Sequence, residues 1–109
     1  MGWIEDVTLE LGRASEAQKV GNAGRARTSA RRAVGHAISE LQKQEPERYY
    51  GEEFIRQLRS FAEDGTLPED IRAAAGRLQA RLTHDFKSAS EDPIADALTI
   101  INYIRDQLA

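Results

Sequence analysis

Apolar residues recur at intervals of three and four along most of the chain, which is the period of amphipathic α-helices. Turn signals separate five such segments, at about residues 3–18, 23–44, 51–63, 67–83 and 93–108. No segment alternates with period two for long enough to indicate a strand. The pattern therefore predicts an all-α fold, a small antiparallel up-down bundle of four to five helices that forms one domain over 1–109.

The second predicted helix has an inner face made mainly of small residues. That face consists of Ala23, Ala26, Ala30, Ala33, Ala37 and Leu41, widened by Val34 and Ile38. Because small side chains let a neighbouring helix approach closely, we expect this helix at the centre of the bundle. Asn22 is expected to cap its start and Pro46 to follow its end.

Local turn chemistry predicts the remaining boundaries. Gly65 is expected to end the third helix. The spacing Thr66-Leu67-Pro68-Glu69 is that of a capping box for the fourth helix. Pro93 is expected to open the fifth helix, since proline suits the first turn.

Composition excludes several classes of site. Cysteine is absent, which excludes disulfides and cysteine-based metal sites. The two histidines, His36 and His84, belong to no HExxH pattern, so neither a metal nor a cofactor is expected. No apolar run is long enough to span a membrane. The first residues include Glu5 and Asp6 where a signal peptide has a basic and then an apolar region, so a cytoplasmic protein is expected.

Charge is unevenly distributed along the chain. The formal net charge is −3, which argues against a polyanion-binding role for the molecule as a whole. Residues 21–36 nevertheless contain no acid, and their basic side chains are candidates for phosphate or nucleic-acid binding: Arg25, Arg27, Arg31 and Arg32. A second basic segment covers 71–87. The two segments form one positive patch if they meet in space; the alternative is that both are ordinary solvated helix faces.

The most specific candidate for chemistry lies at the end of the fourth predicted helix. Arg77, Arg81 and His84 fall at i, i+4 and i+7, on one side of a helix that continues to His84. A histidine can transfer a proton near neutral pH and an arginine can stabilise phosphate charge, which is the minimum for metal-independent RNA cleavage. The alternative is a histidine at a helix end and arginines that pair with acids.

This segment resembles the Arg-x(4–6)-His motif of HEPN domains, which are small helical bundles of prokaryotic toxin–antitoxin and defence proteins. Arg77 and His84 are separated by six residues, and the segment 81–86 is similar to the tail of the motif. Leu78 follows Arg77 where the family usually has a polar residue. The resemblance implies a homodimer, in which two motifs meet, and either ribonuclease activity or a non-catalytic role in binding RNA, nucleotides or a partner protein.

A second Arg-x4-His spacing runs from Arg31 to His36, on the second helix, where the family motif does not normally occur. By helical phase Arg32, and not Arg31, is the neighbour of His36. Three hypotheses follow from the sequence. The chain is a non-catalytic HEPN-like binding module, a HEPN-like metal-independent endoribonuclease, or an unrelated structural bundle.

Overall fold

The computed structural model describes residues 2–81 and 88–109. In this part of the chain there are five helices and no strand, as the sequence predicts: α1 (Trp3–Lys19), α2 (Ala23–Gln44), α3 (Phe54–Glu63), α4 (Glu69–Gln79) and α5 (Pro93–Leu108). The predicted small helical bundle is thereby confirmed. None of the described helices is long and apolar enough to cross a membrane.

A tight connection joins α1 to α2 and makes them an antiparallel hairpin. Gly21 has a φ of 79°, a backbone conformation that glycine adopts without strain. The side chain of Asn22 accepts a hydrogen bond from the backbone N–H of Arg25 at 3.1 Å, which confirms Asn22 as the predicted cap. The two helices therefore pack side by side from this turn onward.

The central helix is α2, as its small inner face predicts, and it packs against each of the other four helices. Its predicted inner face is buried from Ala26 to Leu41, whereas Ala23, in the first turn, is exposed. The core between α2 and its neighbours also includes large side chains from the other elements, among them Tyr50, Leu58, Phe61, Leu78, Ile100 and Ile104.

One glycine in α2 is required by close packing. A Cβ built on Gly35 would overlap the ring of Phe54, which begins α3. The same ring meets His36 edge-on, with 5.2 Å between the ring centroids. Gly35 therefore allows α3 to lie closer to α2 than any other residue would.

The third helix begins at Phe54, three residues later than the sequence predicts. Gly51 has a φ of 123°, which lies outside the helical range. Its carbonyl accepts hydrogen bonds from the side-chain amides of Gln42, at 2.8 Å, and Gln57, at 3.0 Å. These two amides hold the connection at Gly51, and the backbone is extended at Glu53, directly before the helix.

The fourth helix differs from its prediction at its start. The predicted capping box is not formed, because the Thr66 hydroxyl donates to the Asp64 carboxylate at 2.6 Å, and the helix begins only at Glu69. The fifth helix starts as predicted: Pro93 opens it and the Asp92 side chain accepts from the N–H of Ala95 at 3.1 Å.

Candidate functional site

Arg77, the first residue of the predicted catalytic set, lies in the last turn of α4 and bonds to α5. Its Nε donates to one carboxylate oxygen of Asp96 at 3.2 Å, and its Nη2 donates to the other at 2.7 Å. This is the two-point geometry by which a guanidinium binds a carboxylate most strongly. The hydrogen bonds to Asp96 raise the pKa of Arg77 above its usual value.

The acid in this pair is the more buried partner. The Asp96 side chain is 12% exposed and that of Arg77 is 46% exposed. The hydroxyl of Ser90, a residue that is 2% exposed, donates to the same carboxylate at 2.6 Å. The charge of Asp96 is therefore balanced by Arg77, and its carboxylate also accepts a hydrogen bond from Ser90. This cluster of Arg77, Asp96 and Ser90, here named the α4–α5 clamp, ties the two helices together.

Arg81, the second residue of the predicted catalytic set, does not share α4 with Arg77. The helix, predicted to reach residue 83, ends at Gln79, and Ala80 has an extended conformation with a ψ of 144°. Arg81 follows the helix end and is exposed. His84 lies outside the described residues. The predicted alignment of Arg77 and Arg81 on one helical stripe is thus wrong.

Arg31 of α2 caps this end of α4. Its Nε donates to the carbonyl of Leu78 at 2.7 Å and its Nη2 to the carbonyl of Ala80 at 3.1 Å. In a longer helix the carbonyl of Leu78 would accept from the backbone N–H four residues on. A cation also favours the negative end of the helix dipole. Burial and the neighbouring charge of Arg27 lower the pKa of Arg31.

The predicted basic set on α2 is therefore divided. Arg31 is a structural cap for α4, while Arg27 borders a groove of about 460 Å³ formed with Gln18 and Pro93. Arg25 and Arg32 point the other way, into a larger groove of about 790 Å³ between α1 and α2. The described parts of the basic segments 21–36 and 71–87 do meet. Their contact is between Arg31 and backbone carbonyls of the second segment, and not between two groups of exposed cations.

The larger groove, here named the α1–α2 groove, brings in a third arginine. Arg13 of α1 faces Arg25 and Arg32 across it, and Glu16 lies on the same wall as Arg13. The floor includes Ala17 and Ser29, both nearly buried. The groove is therefore an open, mainly basic cleft with small side chains beneath it.

The Arg-x4-His spacing on α2 does not form a joint site. Arg31 reaches the end of α4, whereas the His36 Nε2 lies 3.9 Å from a carboxylate oxygen of Glu10 on α1. Glu10 is 6% exposed and also accepts a 3.5 Å hydrogen bond from Arg13. His36 thus belongs to the packing of α1 and α3 against α2.

Across residues 2–81 and 88–109, no three side chains of the metal-ligating types His, Cys, Asp and Glu lie close enough together to hold an ion.

Sequence reasoning missed the residues that act across helices. Asp96 and Glu10 are acids on otherwise apolar helix faces. Asp96 lies one turn before Ile100 on α5, and Glu10 lies between Val7 and Ala14 on α1. An acid in that position is a signal, because a buried carboxylate needs a partner. No comparable signal in the sequence pairs Arg13 with Arg25 and Arg32 or indicates the buried Ser90.

The fold and these contacts define a class: a small helical bundle in which Arg77 is held by a carboxylate between two helices, while Arg25 and Arg32 are exposed at a surface groove. Comparison with protein-family models, with curated proteins and with solved structures finds no match to this chain.

Proposed function

We propose that this chain is a non-catalytic, HEPN-like helical bundle that acts as a binding module, as a homodimer in the cytoplasm. The observation that carries this proposal is the two-point bond between Arg77 and Asp96. Arg77 is the arginine of the HEPN-like motif, so the ribonuclease hypothesis needs its guanidinium group to be free for a phosphate.

RNA cleavage without a metal needs a cation that meets the negative charge developing on the phosphate. In the α4–α5 clamp, two donors of Arg77 already bond to a carboxylate. A phosphate brought to this guanidinium would come close to the charge of Asp96, which opposes its approach. The arrangement therefore favours a structural role for Arg77, and with it the non-catalytic branch of the HEPN-like hypothesis.

The test is RNA cleavage by the purified protein in EDTA, with His84→Ala as the diagnostic variant and His36→Ala as its matched control. Light scattering on the same samples reports the oligomeric state. We expect a dimer and no cleavage by any of the three proteins. Cleavage by the wild type that is lost in His84→Ala, while the dimer persists, would establish the ribonuclease hypothesis in place of this one. A monomer would contradict the dimeric part of the proposal.

A further inference from the structure

The α1–α2 groove has the length and the side chains to receive another helix. On α1, residues Leu9, Arg13 and Glu16 fall within a narrow arc at about 100° per residue, and Val20, the C-cap that follows the helix, continues the same exposed side. The two apolar ends of this face are open to solvent, with Leu9 55% and Val20 75% exposed. The α1 side of the groove itself runs from Arg13 to Val20, which is about 10 Å or two helical turns, and Leu9 lies about one turn beyond it.

The α2 wall of the groove supplies two cations without acidic partners. Neither Arg25 nor Arg32 forms an ion pair with any described residue, whereas Arg13 is weakly paired with Glu10 at 3.5 Å. Arg25 and Arg32 are seven residues apart on one helix, which separates them by about 10 Å along its axis. Two carboxylates at i and i+7 of a partner helix have the same separation, so both pairs can form at once.

The floor of the groove adds a hydroxyl group. Ser29 is 5% exposed and lines the groove, and its hydroxyl has no hydrogen-bond partner within residues 2–81 and 88–109. Water reaches this hydroxyl, and an acceptor that enters the groove between Arg25 and Arg32 can replace that water. The groove therefore offers cations at its edge and a hydroxyl group beneath, with Val20 as an apolar contact at one end and Leu9 about one turn beyond the other.

Three features favour a polypeptide over a nucleic-acid strand as the occupant. No aromatic side chain lines the described groove, so bases have nothing to stack on. Glu16 places a negative charge on the α1 wall, which a continuous phosphate backbone would meet and a mixed peptide helix can avoid or pair. Exposed Val20 and Leu9 offer apolar contact to side chains, as grooves that bind amphipathic helices do.

We infer that the α1–α2 groove binds an acidic amphipathic helix of a partner protein. Carboxylates at i and i+7 of that helix pair with Arg25 and Arg32, and its apolar side chains lie over Val20 and Leu9. This inference names the kind of partner for the proposed binding module and rests on that proposal.

The experiment selects helical peptides from a display library of random 18-residue sequences, using the full chain as bait. Enriched peptides should carry Asp or Glu at i and i+7 with apolar residues between them. Affinities of the enriched peptides are then measured by fluorescence anisotropy. Because the paired charges lie at an exposed rim, Arg25→Gln with Arg32→Gln is expected to weaken binding about threefold to tenfold.

The matched control is Arg59→Gln with Arg105→Gln. These arginines are exposed on α3 and α5, outside the groove, so the control removes the same charge and should leave binding unchanged. Val20→Ser should weaken binding by removing an apolar contact, with no loss of folding, since Val20 is exposed.

Several results would overturn the inference. They are a library that yields no enriched helix, enriched peptides without the paired acids, and equal weakening by the control variant. A labelled 12-nucleotide RNA that binds more tightly than the peptides, and loses binding in the Arg25 and Arg32 variant, would make the groove a nucleic-acid site instead. Self-association abolished by Val20→Ser would make the occupant a second copy of the chain. The cleavage assay in EDTA tests the proposed function separately, since RNA cleavage at the motif does not depend on this groove.

Discussion

Replacing Arg77 with methionine tests whether the α4–α5 clamp is structural. Methionine keeps much of the aliphatic length of arginine but removes both bonds to Asp96. The carboxylate then keeps only the bond from Ser90, with its side chain 12% exposed. Exposed ion pairs contribute about 0.2–1 kcal/mol, whereas removing one partner of a fully buried pair costs about 3–5 kcal/mol.

The clamp lies between these limits, because Arg77 is 46% exposed while Asp96 is nearly buried. We therefore expect Arg77→Met to lower the free energy of unfolding by about 2 kcal/mol. For a domain of this size, that corresponds to a decrease in Tm of about 8 °C. Urea denaturation followed by far-UV circular dichroism measures the free energy, and a thermal scan measures Tm.

A matched variant, Asp96→Asn, makes the test specific. It leaves the half-exposed Arg77 able to reach water, so it should cost about 1 kcal/mol, less than the loss of Arg77. The double variant should then be more stable than the sum of the two single losses implies, since the interaction can be lost only once. The reasoning fails if Arg77→Met costs less than about 0.5 kcal/mol, the range of ordinary surface substitutions. It also fails if Asp96→Asn is the more damaging change.

Three further variants probe other contacts. Gly35→Ala forces a Cβ against the ring of Phe54 and should cost about 1–3 kcal/mol in urea denaturation; an equal loss in a Phe54→Ala background would contradict this cause. Arg31→Met should cost about 2 kcal/mol and speed hydrogen exchange in the last turn of α4, because two charged hydrogen bonds to its carbonyls are lost; unchanged exchange there would argue against the cap. Burial and the hydrogen bond to Asp64 raise the pKa of Tyr50, so this contribution to stability is complete below about pH 10 and is lost as the pH rises through the folded-state pKa. Tyr50→Phe should flatten the fall in Tm above about pH 10, and an unaltered alkaline fall would refute the assignment.

The sequence predicts a helix boundary well where the signal is local. The bounds of α2 agree with the prediction at both ends, because the Asn22 cap at its start and Pro46 beyond its end act within a few residues of the boundary. Its central position also follows from the sequence, since small inner residues have a direct steric consequence. Fold class and the order of helices depend on such local patterns and are therefore predictable.

Boundaries and contacts that depend on distant partners are not predictable in this way. The cap at the end of α4 is Arg31, which lies 47 positions before Leu78, the residue whose carbonyl it binds. Helical period predicts that α4 continues beyond Gln79, and only the packed structure shows the boundary and the arginine that caps it. Arg77 likewise finds Asp96 19 positions away. A sequence motif includes the arginine but does not indicate the acid that binds it.

The arginines of this chain show why charge and spacing alone do not identify a site. Arg31 and Arg77 each make two charged hydrogen bonds between helices, so the fold uses their guanidinium groups. Arg25 and Arg32 make no comparable side-chain bonds to the described residues, and they face an open groove. In sequence all four are basic residues on helices. The distinction between bonded and exposed guanidinium groups is the basis on which we propose the α1–α2 groove as a partner site. The same distinction separates the expected effects of substitution, with stability lost at Arg31 and Arg77 and binding lost at Arg25 and Arg32.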